Sequence, residues 1–341
     1  MKYSNAQRAC IAISRSEDSS IRNRLVSYLE KEDYQKVLDE HNIRELDTFI
    51  SNCTDQGIFV LTIKCPQYPV RLKNLVHPPI ALYYRGNLEL FKKPAVAIVG
   101  TRDCTRYGTE VATRFARELS EKGIAVVSGL AGGIDTAAHK GAGSDSTIAV
   151  LGNGLNVFFP SANKNLQNEI SQKGLVISEY LPVTKGAKFT FPWRNRIVAA
   201  LSQAVLIVEA DLRSGTMITR DWAVELGLDV FVIPGPITSH ASRGTNALIK
   251  EAACTCATSV DDILESFGIY EKSSVKENTL TQISFEEKMI LDILSSDEVH
   301  FDDILQGSNM STRDATTLLT KMEMGGLITK IPGNYFKRGS A

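Results

Sequence analysis

Short apolar runs alternate with helix-like amphipathic stretches from Ala95 to residue 253. The apolar runs are AVAIVG (95–100), IAVVSGL (124–130), TIAVLG (147–152), LVISEY (175–180), AVLIVEA (204–210) and DVFVIPG (229–235). The amphipathic stretches are 109–123, 164–174, 193–203, 216–227 and 245–253. This alternation is typical of βαβ units, so the pattern predicts an α/β fold with a doubly wound, Rossmann-like, mostly parallel sheet covered on both faces.

The flanking segments follow other patterns. Residues 1–60 predict a small N-terminal helical region, and the Pro-rich passage CPQYPVRLKNLVHPPIALYYRG (65–86) predicts loops and edge segments. We therefore divide the chain into four parts, namely a helical region (1–60), an extended Rossmann-like domain (61–267), a polar linker (268–279) and a C-terminal domain (280–338).

The C-terminal domain has the element order of a winged helix, a variant of the helix-turn-helix. Its sequence predicts a helix, a short helix, a turn at Gly307, a third helix and two short strands around Pro332 and Gly333. Ser311 and Asp314 have the spacing of a capping box and mark the start of the third helix.

Charge does not identify the chain as a general polyanion binder. It carries 38 basic and 39 acidic residues, a net charge of −1, so any polyanion site must be a local concentration of cations. No apolar run reaches the ~20 residues of a membrane span, and the first residues lack a signal-peptide apolar region. The six cysteines are scattered, which predicts reduced thiols, no metal site and a cytoplasmic location.

Three glycine- or amide-rich loops follow the first three apolar runs. Because parallel sheets bind ligands outside the carboxyl ends of their strands, the backbone amides of these loops are expected to face an anion. Arg102, Arg106 and Lys164 add positive charge. The loops are GTRDCTRYG (100–108), SGLAGGIDTAAH (128–139) and GNGLNVFFPSANK (152–164). They contain no G-x-G-x-x-G or P-loop motif, so no NAD or ATP cofactor is expected.

A cationic, aromatic segment precedes the strand at 204–210. No Asp or Glu occurs from Leu181 to Val208. Lys188, Arg194 and Arg196 supply charge for phosphates, and an exposed ring in this segment would give a base a face on which to stack. Of Phe189, Phe191 and Trp193, we expect one to be exposed and the other two to lie in the core.

Catalysis has weaker support in the sequence. Glu179 and Glu209 end apolar runs and Glu225 lies in a predicted helix, positions that would suit acid–base chemistry on a small nucleotide. Neither His139 nor His240 has a partner that would make a nucleophilic set. We therefore predict no catalytic residues and no enzyme activity.

Seven motifs taken together resemble the DNA-processing protein A (DprA/Smf) family. The resemblance extends in order over residues 60–267, and the tail is similar to that family's winged helix. The motifs are VAIVGTRDCTRYG, VVSGLAGGIDTAAHKGA, TIAVLGNGLNVFFPSANKNL, GLVISEYLP, FPWRNRIVAALSQAVLIVEADLRSGTMIT, VFVIPGPI and GTNALIKEAA.

This resemblance implies a single-stranded DNA-binding homodimer. Such proteins protect incoming DNA during natural transformation and help load the recombinase RecA onto it. By motif position, the family's DNA contacts fall on Arg102, Lys188 and Phe191, with Arg194 and Arg196 close by. Further pocket positions fall on Ser128, Gly129, Gly132 and Asn195.

Two other functions stay open at this point. The segment SGTMITRDWAVE (214–225) lies where related Rossmann-like proteins of the lysine-decarboxylase-like group carry a nucleotide-cleaving motif, although the paired glycines are missing. A winged-helix transcription factor is the other alternative. Residues 280–341 contain six basic and nine acidic residues, a net of −3, and the third helix offers only Arg313 and Lys321. We therefore expect that domain to contact a partner or to pack, not to read duplex DNA.

Overall fold

The computed structural model describes residues 3–16, 18–267, 284–294, 298–308 and 310–338. The chain divides into two compact units, Met1–Ile269 and Tyr270–Ala341. The predicted linker, 268–279, lies outside the described residues.

Among the described residues of the first unit, nine strands form one sheet in the order β1-β2-β6-β5-β4-β3-β7-β8-β9. The strands are β1 (Phe59–Thr62), β2 (Ala81–Gly86), β3 (Ala95–Val99), β4 (Ala125–Ser128), β5 (Thr147–Leu151), β6 (Leu175–Ser178), β7 (Ala204–Ile207), β8 (Asp229–Val232) and β9 (Thr255–Cys256). All pairs among β3 to β9 are parallel, whereas β2 is antiparallel to both β1 and β6. The predicted doubly wound, mostly parallel sheet is confirmed.

The strand order reverses at β3. The chain builds β4, β5 and β6 on one side of β3 and then returns to place β7, β8 and β9 on the other side. Connections therefore diverge between β3 and β7, which leaves a crevice outside the carboxyl ends of these two strands.

Helices cover the sheet on both faces. They are α1 (Asn5–Ser14), α2 (Ser19–Glu30), α3 (Tyr34–Asp39), α4 (Ile43–Asp55), α5 (Val70–Lys73), α6 (Arg106–Glu121), α7 (Ile134–Ala142), α8 (Lys164–Lys173), α9 (Thr190–Ala200), α10 (Thr216–Glu225), α11 (Arg243–Lys250) and α12 (Asp261–Ser266). Side chains alternate along β3, so Val96 and Ile98 join a core with α6 and α7, while Ala97 and Val99 join a core with α9 and α10.

The N-terminal segment departs from the prediction in two ways. Its helices share a core with the sheet, where Ile11 and Leu46 lie in one cluster with Tyr83 of β2, and the predicted boundary at residue 61 falls inside β1. The Pro-rich passage was predicted to form loops and edge segments, which is wrong for β2. That strand lies between β1 and β6, and its residues 81–84 are buried on both faces.

The second unit, described by itself, is a winged helix. Its elements are α13 (Phe285–Ile293), β10 (Val299–His300), α14 (Phe301–Ser308), α15 (Thr312–Met324), β11 (Ile328–Ile331) and β12 (Tyr335–Arg338). The strands pair antiparallel in the order β10-β12-β11. The turn predicted at Gly307 is wrong because this residue lies inside α14. Ser311 caps α15 by accepting from the amide of Asp314 at 3.2 Å, and its hydroxyl donates to the Asp314 carboxylate at 2.6 Å.

Candidate nucleic-acid interface

A pocket of about 670 Å³ opens at the point where the strand order reverses. It lies outside the carboxyl end of β3, between the N-terminal ends of α9 and α10, and parallel sheets of this type bind ligands at this position. The lining residues are Val99, Gly100, Thr101, Arg102, Ala131, Asp135, Phe159, Gly186, Ala187, Lys188, Phe191, Pro192, Arg194, Asn195, Ser214, Gly215, Thr216 and Thr219.

The acid-free segment supplies the largest share of this lining because it folds as α9 and the turn before it. In a helix, successive side chains are about 100° apart around the axis. Phe191, Arg194 and Asn195 therefore share the face that meets the pocket, and Lys188 reaches it from the turn. Arg196 is 200° from Arg194 and points elsewhere.

Three cations border the pocket. Arg102 and Lys188 are exposed, and the Arg102 guanidinium carbon lies 5.6 Å from the centroid of the Phe191 ring. Arg194 is only 5% exposed, and burial lowers the pKa of its guanidinium. Its side chain occupies the space beside Gly129, where any Cβ would overlap the guanidinium group. The positive charge is thus built into both the rim and the floor of the pocket.

Asp135, a residue absent from the sequence prediction, also lies in the pocket. Its Oδ2 accepts hydrogen bonds from the amides of Gly129 at 3.1 Å and Ala131 at 3.3 Å. Burial raises the pKa of this carboxyl, and the nearby charge of Arg194 opposes that rise. Among the pocket residues that the structure describes, Asp135 is the one carboxyl group.

The aromatic residues of the segment differ from the expectation of a single exposed ring. Phe189 is 74% exposed and Trp193 is 38% exposed, whereas Phe191 is half-buried. The Phe191 ring packs between Gly152 and Gly186, and its centroid lies 5.1 Å from that of Phe159. Phe191 thus has a fixed orientation with one side open to the pocket.

The structure does not bring Arg196 to the pocket. This residue is 1% exposed, and its Nη2 donates to both carboxylate oxygens of Glu179 at 2.8 and 2.7 Å. The guanidinium carbon also lies 4.5 Å from the centroid of the Trp193 ring. Arg196 is therefore a core residue that joins the end of β6 to α9.

The remaining predicted residues divide into those near the pocket and those away from it. Ser128 is buried and donates to the carbonyl of Ile98 at 2.7 Å, and Gly132 lies in the turn before α7. Arg106 pairs with Glu110 at 2.8 Å, and Lys164 lies 5.2 Å from the Phe158 ring. None of these four residues lines the pocket.

The candidate acid–base residues also lie elsewhere. Glu209 is buried and accepts from the amide and hydroxyl of Thr105 at 2.9 and 2.6 Å, and Glu225 is exposed at the end of α10. Burial lowers the pKa of His139 to about 3, and its Nδ1 lies 2.7 Å from the Thr147 hydroxyl. Glu209 and His139 are therefore buried residues with partners inside the fold.

Sequence reasoning missed a second contribution, from residues 214–219 at the start of α10. The sequence pattern linked this segment only to a nucleotide-cleaving motif, although its position directly after the apolar run 204–210 was a signal that it could line the pocket. Within the described residues, no group of three or more His, Cys, Asp or Glu side chains could hold a metal ion. No helix in the same part of the chain is long and apolar enough to cross a membrane.

The doubly wound sheet, with a cationic and aromatic pocket at its strand-order reversal, places the chain in the Rossmann-like class of proteins. More narrowly, the chain belongs to the DNA recombination-mediator protein A family, whose model matches residues 59–268. The model of the DprA winged helix domain matches residues 276–334. The resemblance seen in the sequence motifs is confirmed.

Known relatives agree with this membership. DNA processing protein DprA of Streptococcus pneumoniae is 44% identical over 238 residues, covering 69% of this chain and 80% of the relative. Its X-ray structure matches with a TM-score of 0.66 at 36% identity, over 78% of this chain and 98% of that one. A structure reporting the single-stranded DNA binding mode of DNA processing protein A from Helicobacter pylori matches with a TM-score of 0.57 at 34% identity, over 62% and 95% of the two chains.

Proposed function

We propose that this protein binds single-stranded DNA in the pocket, protects it and helps load a RecA-type recombinase onto it. The observation that carries the proposal is the grouping of Arg102, Lys188 and Arg194 around the open side of Phe191. Cations bind phosphates of any sequence, and an aromatic face stacks any base. The pocket therefore has the chemistry of a sequence-tolerant single-strand site.

Single-stranded DNA is favoured over duplex DNA because bases must be unpaired to reach the pocket. In a duplex the base faces are stacked on one another, and only base edges and phosphates are accessible. Phe191 lies inside the pocket beside buried Arg194. In the winged helix, Lys321 is engaged with Glu287 at 3.0 Å, so α15 does not offer this cation freely to a duplex.

The recombinase and a second copy of the chain are the proposed partners. Membership of a recombination-mediator family supports the first, and the resemblance of the motifs to that family supports both. A strand held through its phosphates and one base keeps its neighbouring nucleotides available to a recombinase. We propose a binding role without catalysis, since Glu179 and Glu209 are engaged with Arg196 and Thr105.

One observation supports a second candidate, a small-nucleotide enzyme or sensor. Asp135 lies in the pocket with a raised pKa, and a perturbed carboxyl in a cleft is a general acid–base candidate. Its Oδ2 already accepts hydrogen bonds from two backbone amides. A structural role therefore explains this buried carboxyl better than a catalytic role does. Hydrolysis of nucleoside phosphates that is lost in Asp135→Asn would favour the enzyme.

Fluorescence anisotropy of the full chain with labelled oligothymidine tests the DNA proposal. Arg102→Ala and Lys188→Ala are each expected to weaken binding roughly tenfold, the order of one charged hydrogen bond. Each should also reduce the slope of log affinity against log salt by about 0.7. Arg106→Ala is the matched control because Arg106 is as exposed as these residues but pairs with Glu110.

Three outcomes would contradict the proposal. Equal affinity for a duplex of the same length would remove the preference for single strands. An effect of Arg106→Ala equal to that of Arg102→Ala would move the site out of the pocket. An affinity that does not change with salt would exclude phosphate contacts.

A further inference from the structure

Two aromatic side chains, one at the N-cap of α9 and one in its first turn, lie next to the pocket without lining it. Phe189 is 74% exposed and Trp193 is 38% exposed. They are one helical turn apart, since the amide of Trp193 donates to the carbonyl of Phe189 at 3.2 Å, so both lie on the same side of the helix. Their chain neighbours Lys188 and Pro192 do line the pocket.

The Trp193 ring is held in place by its surroundings. Arg196 covers one part of it at 4.5 Å, the Trp222 ring meets it edge-on at 6.3 Å and 81°, and the His77 ring lies 5.9 Å away. Arg196 is itself fixed by both carboxylate oxygens of Glu179. The tryptophan is therefore oriented by a buried ion pair while more than a third of its surface stays exposed.

Positive charge continues beyond these rings. The short helix α5 packs against α9, and its Arg71 and Lys73 are exposed. His77 is exposed and follows the end of α5 by four residues, so the cations of α5 lie close in the chain to the ring that neighbours Trp193. Alternating cations and aromatic faces are the features of a single-strand track.

We propose that Phe189, Trp193 and His77 form an aromatic strip that stacks bases of the DNA strand where it leaves the pocket. The inference rests on the proposed function and extends it by naming a second contact region outside the pocket. The strand would place its phosphates at Lys188 within the pocket and at Arg71 and Lys73 beyond the strip. Buried Arg196 then contributes to binding indirectly, by positioning Trp193.

Oligothymidines of two lengths separate the strip from the pocket. We compare lengths of about 4 and about 16 nucleotides, which correspond to the range of single-strand site sizes of OB folds. Phe189→Ala is expected to lower affinity for the long strand roughly tenfold, the order of one lost base stack, and to leave the short strand unchanged. Phe189→Tyr should restore the affinity, whereas Phe189→Leu should not. Ile43→Ala, an exposed apolar position on α4, is the control.

Intrinsic fluorescence reports stacking directly because Trp193 and Trp222 are the two tryptophans of the chain. In Trp222→Phe, Trp193 is the sole tryptophan, and the long strand is expected to quench it while the short strand leaves it unchanged. In Trp193→Phe, the remaining Trp222 should show little change with either strand.

The possible results distinguish failure of the aromatic strip from failure of the proposed function. Binding of the long strand that requires Arg102 but neither quenches Trp193 nor depends on Phe189 overturns the strip and leaves the pocket intact. Failure of both strands to bind removes the proposed function and the strip with it. Phe189→Leu equal to wild type for DNA, together with loss of recombinase binding in Phe189→Ala, would assign the strip to protein docking instead.

Discussion

Arg194 and Arg196 lie two residues apart on α9, and both are buried, yet their guanidinium groups have different surroundings. Arg196 faces the interior, where Glu179 neutralises it and Trp193 covers it. Arg194 faces the pocket, where the nearby charge of Asp135 opposes the fall in the guanidinium pKa that burial causes. The difference indicates that one motif provides both an internal brace and a ligand-facing charge.

Breaking the internal pair should have the largest effect. Glu179→Ala leaves the Arg196 charge buried without a partner, which is expected to lower the free energy of unfolding by about 3–5 kcal/mol. Urea denaturation followed by circular dichroism measures this change. Replacing both partners, as in Glu179→Leu with Arg196→Met, should recover most of the loss. If Glu179→Ala is as stable as wild type, the pair is not a brace.

Removing the pocket-facing Arg194 should have little effect on stability and a clear effect on DNA affinity. Arg194→Met takes away a desolvated charge and keeps much of the side-chain volume, so the free energy of unfolding should change by less than about 1 kcal/mol. Affinity for short oligothymidine should fall roughly tenfold. Denaturation and anisotropy on the same preparation check both parts. A stability loss as large as that of Glu179→Ala would erase the distinction between the two arginines.

The smallest expected effect is the change in stability with pH that the titration of Asp135 causes. Burial raises the pKa of this carboxyl above its ordinary value of 3.8, so the native state holds the proton more tightly than the unfolded chain. Its contribution to stability is present below 3.8 and is lost as pH rises through the native pKa. Asp135→Asn should therefore gain stability relative to wild type as pH rises across that interval.

The same titration should change DNA affinity. Protonation removes the carboxylate from the pocket, so wild-type affinity should increase as pH falls towards the native pKa of Asp135. Anisotropy at several pH values, with Asp135→Asn as the reference that lacks the effect, measures it. Equal pH dependence in the variant would assign the titration to another group.

Local sequence pattern was sufficient to predict the sheet and its helices. Runs such as AVAIVG and TIAVLG are short and almost wholly apolar, so their burial between two helical layers follows from composition. The carboxyl-end rule then pointed to the loop that carries Arg102, whereas Lys188 was predicted from the acid-free segment and from the family resemblance. The antiparallel β2 was missed because Pro78 and Pro79 precede it, and proline usually ends regular structure.

The spacing of charges along the sequence could not predict which arginine of α9 faces the pocket and which lies in the core. Arg194 and Arg196 lie in the same short basic segment. They contact different surroundings because their side chains are 200° apart around the helix axis. Asp135 resembles an ordinary first-turn residue of α7. Its role depends on the approach of α7 to α9, which no local pattern of the sequence encodes.

Gly129 and Arg194 occupy one volume between β4 and α9. A side chain at 129 needs the space that the guanidinium fills, so substitutions at these two positions are not independent. Gly129→Ala is expected to be tolerated where residue 194 is already small and to be rejected where arginine is present. A substitution at position 194 must therefore come before one at position 129 if the protein is to stay folded at each step. The two positions should accordingly vary together across descendants of this chain.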